Sequence, residues 1–174
     1  IQAEGLLGSY LFFDGQMQDQ QLGLWVAEQA KKLGVQIHEH CPVVEVDTEA
    51  RLRLGSDGSW LHFDRVINVA GPWSNLLLEQ SGIVPPQGID LVRGSHLLLP
   101  PVSRYGHMLE VPGEGRIVFV LPYQGQTLLG TTEVRQTLAE PIRCSEKERN
   151  YLLKVYNHYF ISQRNISDIQ REFA

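Results

Sequence analysis

Apolar residues first recur at helical spacing just after the turn-like stretch Phe13-Asp14-Gly15. Leu22, Trp25, Val26, Ala30 and Leu33 mark one face of a helix that Asp19 is suited to cap and Gly34 to stop. Alternation follows. Val35 and Ile37 stand out of phase with Gln36 and His38, as in a half-buried strand, and Val43, Val44 and Val46 continue in extended style after Pro42. Leu52 and Leu54, the turn Gly55-Ser56-Asp57-Gly58 and then Trp60 to Phe63 predict a hairpin. The run Arg65 to Ala70 is almost continuously apolar, the texture of a parallel strand covered on both faces. Ser74 is suited to cap a short helix, Asn75 to Gln80, ended by Gly82.

Beyond Ile83 the texture changes to strand-length apolar pieces separated by Pro85-Pro86, Pro100-Pro101 and glycine turns. Strands are predicted near 89–99, 106–111, 115–122 and 126–133. Ser145-Glu146-Lys147-Glu148 has the form of a capping box and opens a helix whose apolar face carries Leu152, Val155, Tyr156 and Tyr159. The fold class is therefore α+β: helix, strand and β-meander over residues 1–82, then an antiparallel sheet with a helix over 83–174.

Composition narrows the class further. With 43% hydrophobic and 20% charged residues the 174-residue chain falls in the globular range, and its net charge of −5 offers no basic stripe for nucleic acid. Two distant cysteines, Cys41 and Cys144, make neither a disulfide framework nor a zinc ribbon and suit a reducing compartment. No apolar run approaches the ~20 residues of a membrane span, so a cytoplasmic location, at most peripheral to a membrane, is expected.

Chemistry is sparse. Ala70-Gly71 ends the apolar run where backbone could approach a ligand closely, although a tight turn before a capped helix accounts for it equally well. His96 on its own reads as a strand histidine bonded within a core, and Arg93 as a solvated strand charge. Thr131 and Thr132 read as strand residues with cross-strand hydrogen bonds. His38-Glu39-His40-Cys41 is dense in metal-ligand types and would put both histidines on one strand face, but no second cluster completes a site, and no metal is expected. Glu140, Glu146 and Glu148 read as a solvated, dipole-favoured helix start.

Taken together, Val66-Ile67-Asn68-Val69-Ala70-Gly71-Pro72-Trp73-Ser74, Leu91-Val92-Arg93-Gly94-Ser95-His96-Leu97, Arg116 to Tyr123 and Leu129 to Val134 resemble, in order and spacing, the FAD-dependent glycerol-3-phosphate dehydrogenases of the D-amino-acid-oxidase-like superfamily. The resemblance runs from about Tyr10 to the end. It implies that residues 1–82 are a lead-in and the later part of an FAD-binding domain, with Val43, Ala70, Gly71 and Trp73 near the cofactor. Residues 83–174 would be part of a substrate domain roofing the flavin, with His96 as catalytic residue and Arg93 as a substrate-phosphate contact.

The implied reaction is oxidation of sn-glycerol 3-phosphate to dihydroxyacetone phosphate, hydride passing to flavin and electrons to a quinone. The family's Gly-x-Gly-x-x-Gly turn is missing, since Gly5-Leu6-Leu7-Gly8 lacks the third glycine. Its Gly-x-Arg-Pro motif would come after Ala174. The chain is thus expected to be a central section, inactive alone and without bound FAD, with apolar surface through which two copies could pair. The alternatives are another amine, amino-acid or 2-hydroxy-acid oxidoreductase of the superfamily, or a binding domain without catalysis.

Overall fold

The computed structural model describes residues 1–2, 4–55 and 57–174. Two compact units emerge: Gly8–Ile89, and Asp90–Ala174 together with Ile1–Leu7. Ser56 of the predicted hairpin turn lies outside the described residues.

In the first unit, α1 spans Asp19–Lys32. Asp19 is not its cap but its first residue; Gln18 is the N-cap, without a side-chain bond, and Asp19 places a carboxylate at the positive end of the helix dipole. Gly34, at φ +93°, ends the helix as expected. The strand predicted at Val35–His38 does not form: no strand in the described residues pairs with it, and His40 at φ +55° turns the chain. Its two histidines therefore share no strand face. The meander is β1 (Val43–Val46), β2 (Arg51–Leu54) and β3 (Trp60–His62), antiparallel in that order. Arg51 and Arg53 on β2 pair with Asp47 and Glu45 across the first turn and ladder.

The apolar run Arg65–Ala70 joins no sheet, because a parallel strand needs laterally bonded neighbours and none of the described residues supplies one. Ile67 and Val69 are 80% and 84% exposed. The run ends in a 3-10 turn, Gly71–Trp73, and α2 (Ser74–Gln80), in which Ser74 is the first helical residue and Trp73 the cap. Gly82, at φ +71°, follows the helix. Ser81 ties α2 to the meander by accepting the Val46 N–H at 2.9 Å.

The second unit is built on a five-stranded antiparallel sheet, β10-β5-β8-β7-β6. Its strands are β5 (His96–Leu99), β6 (His107–Glu110), β7 (Ile117–Tyr123), β8 (Gln126–Gly130) and β10 (Arg171–Phe173). A separate ribbon pairs β4 (Val92–Arg93) with β9 (Val134–Arg135). The single strand predicted at 89–99 is thus two, broken at Gly94-Ser95.

Strand periodicity sorts the side chains of this sheet. Leu97, Leu99, Val118, Val120 and Leu129 face α3 (Glu146–Tyr159) and close a core with Leu152, Val155 and Tyr156. Each fully buried leucine stabilises this layer by roughly 1.5–3 kcal/mol. Residues at the alternate positions, including His96, Phe119, Leu121 and Leu128, face away from the helix.

Candidate functional site

The helix-free face of the sheet is where the second unit's candidate chemistry gathers. His96 begins β5 and pairs across the ladder with Gly130 on β8 and with Phe173 on β10. Its ring stacks on Phe173 with centroids 5.1 Å apart and planes 13° from parallel. On the opposite side the imidazole takes up the space that a β-carbon on Gly130 would need. A shallow depression of about 90 Å³ beside it is lined by His96, Phe119, Leu121, Leu128, Gly130 and Thr131.

Burial lowers the pKa of His96 below its ordinary value, because the charged ring would lose solvation in this setting. A neutral imidazole results. Such a group, on an apolar wall open to a small molecule, can accept a proton from a hydroxyl brought to it.

Arg93 lies only three residues away, yet its side chain goes elsewhere. That side chain is 11% exposed, with Nη2 2.5 Å from Glu148 Oε2 and Nη1 donating to Gln136 Oε1 at 2.8 Å. Far from being a solvated helix start, Glu148 is buried at 5% side-chain exposure. Its Oε1 accepts the hydroxyls of Ser95 and Thr132 at 2.7 and 2.8 Å, and its Oε2 accepts the Ser145 hydroxyl and N–H at 2.6 and 3.0 Å. Burial raises the carboxyl pKa, but these donors, led by Ser145 and Ser95, outweigh it and hold the group at about 2. The capping box is therefore also half of an ion pair.

The loop from Gly130 to Glu133 is gripped from two sides. Thr132 Oγ1 accepts the Ser95 N–H at 2.9 Å while donating to Glu148. Arg116 donates to the Thr131 carbonyl at 3.2 Å and to the Tyr151 hydroxyl at 3.1 Å, which in turn donates to Glu114. Neither threonine is in a strand, contrary to expectation, because β8 ends at Gly130. Gly94 is glycine for a steric reason: a β-carbon there would collide with Thr131 Oγ1.

In the first unit the expected cofactor residues are one strand position and one turn. Val43 opens β1 opposite Leu54. Ala70, Gly71 and Trp73 form the 3-10 turn, closed by the Trp73 N–H on the Ala70 carbonyl at 3.1 Å. Asn68 braces it, accepting the Ala70 N–H and donating to the Ser74 carbonyl. Gly71 has φ +55°, with open space where its β-carbon would stand. Among the described residues no three or more His, Cys, Asp or Glu side chains are arranged to hold a metal, and no helix is long and apolar enough to cross a membrane.

Phe119, Leu121, Leu128, Gly130, Phe173 and Glu148 went unnoticed as parts of the site in the sequence. The out-of-phase apolar positions of β7, Phe119 and Leu121 against Val118 and Val120, were the one visible sign of a second apolar face.

Comparison with known proteins agrees with this architecture. A glycerol-3-phosphate dehydrogenase of Pseudomonas aeruginosa is 32% identical over 158 residues, covering 80% of this chain and 31% of that protein. The aerobic glycerol-3-phosphate dehydrogenase of Escherichia coli K12 is 36% identical over 109 residues, 60% of this chain and 22% of its own length. The chain thus spans less than a third of either relative. The crystal structure of the Bacillus halodurans glycerol-3-phosphate dehydrogenase complexed with FAD superposes with a TM-score of 0.80 at 24% identity, over 91% of this chain and 34% of that one. The family model of the FAD dependent oxidoreductases, DAO, matches residues 2–174, and the chain belongs to that family.

Proposed function

We propose that the chain contributes part of the cofactor site and part of the substrate site of an FAD-dependent dehydrogenase acting on sn-glycerol 3-phosphate. The observation that carries the reading is the placement of the His96 imidazole, stacked on Phe173 and seated on Gly130, on the apolar, helix-free face of the sheet, in a chain whose relatives bear that enzyme's name.

The turn at Gly71 tests whether these residues suit FAD. A dinucleotide needs main chain to come close, and Gly71 has no side chain, a positive φ and empty space around its missing β-carbon. Ile67, Val69 and Trp73 add exposed apolar surface. The fit is good. Ala70 and Gly71 would meet the dinucleotide through backbone, Trp73 would wall it and Val43 would lie on the adenine side. When bound, FAD supplies the hydride acceptor for the alcohol carbon. His96 would take the hydroxyl proton, and its lowered pKa keeps it free to do so near neutral pH.

Arg93 does not suit the substrate phosphate as things stand, since Glu148 and Gln136 already engage its two amino groups. Arg93 would instead support the site through its pairing with Glu148. Residues 1–82 would then serve the cofactor and 83–174 the substrate, with a quinone as final acceptor and a location in the cytoplasm or on the inner membrane face.

The test has two arms. The 174-residue chain alone is expected to purify colourless and to show no turnover; a flavin absorbance band in that preparation would contradict this. The reading frame that carries it is expected to yield a flavoprotein that reduces a ubiquinone analogue with glycerol 3-phosphate, and that loses about 10²–10⁴-fold in kcat/KM on His96→Ala. A flavoprotein bleached by amino acids or 2-hydroxy acids, and not by polyol phosphates, would sink the substrate assignment.

A further inference from the structure

The buried carboxylate of Glu148 belongs to a helix that faces the core, yet most of what it holds lies at the edge of the candidate site. Its Oε1 takes one hydroxyl from each of the two segments that flank the imidazole: Ser95, immediately before His96, and Thr132, two residues beyond Gly130. Those segments are also joined to each other, Ser95 N–H to Thr132 Oγ1 at 2.9 Å and Thr132 N–H to the Ser95 carbonyl at 3.3 Å. Arg93 and Ser145 hold the other oxygen. The carboxylate is thus locked at both ends, one end by charge and the helix cap, the other by the site's own backbone segments.

We infer that Glu148 is a positioning residue for His96: through Ser95 and Thr132 it fixes the two backbone segments between which the imidazole is seated on Gly130. A buried ion pair is a poor source of stability compared with an apolar filling of the same space, so stability alone does not account for this one. A loose supporting shell is enough to disable a site whose first contacts are all present. Arg93 acts in the same device, neutralising the carboxylate that does the holding. The inference rests on reading His96 as a reacting group, but its geometry can be tested without cofactor or substrate.

The experiment is proton NMR of the histidine rings in the 174-residue chain. In the parent chain the His96 ring protons are shielded by the stacked Phe173 ring, while His107, edge-on to Phe160 in the core layer, serves as internal control. Thr132→Val removes one link to Glu148, together with the acceptor of the Ser95 N–H, without removing volume or either charge, whereas Ser95→Ala cuts a Glu148 link and leaves that N–H bond in place. It is expected to move the His96 signals downfield, toward those of an unstacked histidine, and to leave those of His107 in place. Thr132→Ser, which keeps the hydroxyl, is expected to restore them, and Ser95→Ala to repeat the loss.

A Thr132→Val chain that melts at lower temperature with unmoved His96 signals would mean that Glu148 merely stabilises, and the inference would fall. Should the variants not fold, amide exchange in the parent chain decides. Ser95 and Thr132 amides that open together with the Arg149 amide in the first turn of α3 support it, and amides that open independently of that turn overturn it. None of these readings requires turnover, so a negative result leaves the proposed reaction standing, and a failed activity assay leaves the positioning result intact.

Discussion

His96 and Gly130 face one another across the β5–β8 ladder so closely that the imidazole fills the volume of the missing side chain. The first expectation follows from that relationship. Gly130→Ala should cost about 1–3 kcal/mol, the usual penalty of overpacking a well-filled position. In a His96→Ala background the same substitution should cost far less, since the obstacle is gone. Urea unfolding of the four chains gives the coupling directly, and additive costs would refute the contact.

The ion pair of Arg93 with Glu148 predicts an asymmetry between single and double substitutions. Glu148→Gln leaves a buried guanidinium without its counter-charge and should destabilise by roughly 3–5 kcal/mol. Arg93→Met combined with Glu148→Gln removes both charges and should recover a large part of that loss. Denaturant midpoints measure both. If the double variant is no more stable than the single one, the pair is not what the cluster depends on.

Acid should weaken the fold in two windows. His96 and His107 both titrate below their ordinary value of 6.5 because burial penalises their charged forms. The unfolded chain then binds more protons, so stability is full above 6.5 and falls as the pH drops toward the folded values. Glu148, held at about 2 against an ordinary 4.5, adds stability that is present above 4.5 and is lost between there and about 2. Melting temperatures at about pH 8 and about pH 5 report the histidine window, and His96→Gln should flatten that slope.

Ser145 caps α3 and donates to Glu148 with both its hydroxyl and its N–H. Ser145→Ala should therefore cost at the upper end of the usual capping range of about 0.5–2 kcal/mol. Ser145→Asp, an equally good cap elsewhere, should be no improvement here, because it sets a second carboxylate beside Glu148. Thermal melts of the two variants separate the capping contribution from the buried one.

Local signals were the legible part of this chain. The glycines that stop α1 and α2, the β2–β3 hairpin and the Ser145–Glu148 capping box all declare themselves within a few residues. What failed was anything decided by a distant neighbour. Arg65–Ala70 and Val35–His38 have strand composition, but a strand exists only where another bonds to it, and none of the described residues does so. Glu148 looked like solvated charge because its partner Arg93 stands 55 residues earlier. Seen from the sequence, Arg93 was a spare cation for the same reason. His96 was picked out by resemblance, whereas its seat on Gly130 and Phe173 comes from cross-strand register, which composition does not reveal.

The crowding around Glu148 also bears on how this sequence can change over generations. One carboxylate answers to Arg93, Ser95, Thr132 and Ser145 at once. A lineage that exchanges the acid for a neutral residue strands a buried cation, and one that exchanges the cation strands a buried anion. Drift at these two positions is therefore confined to paired steps, and descendants that differ at one should differ at the other.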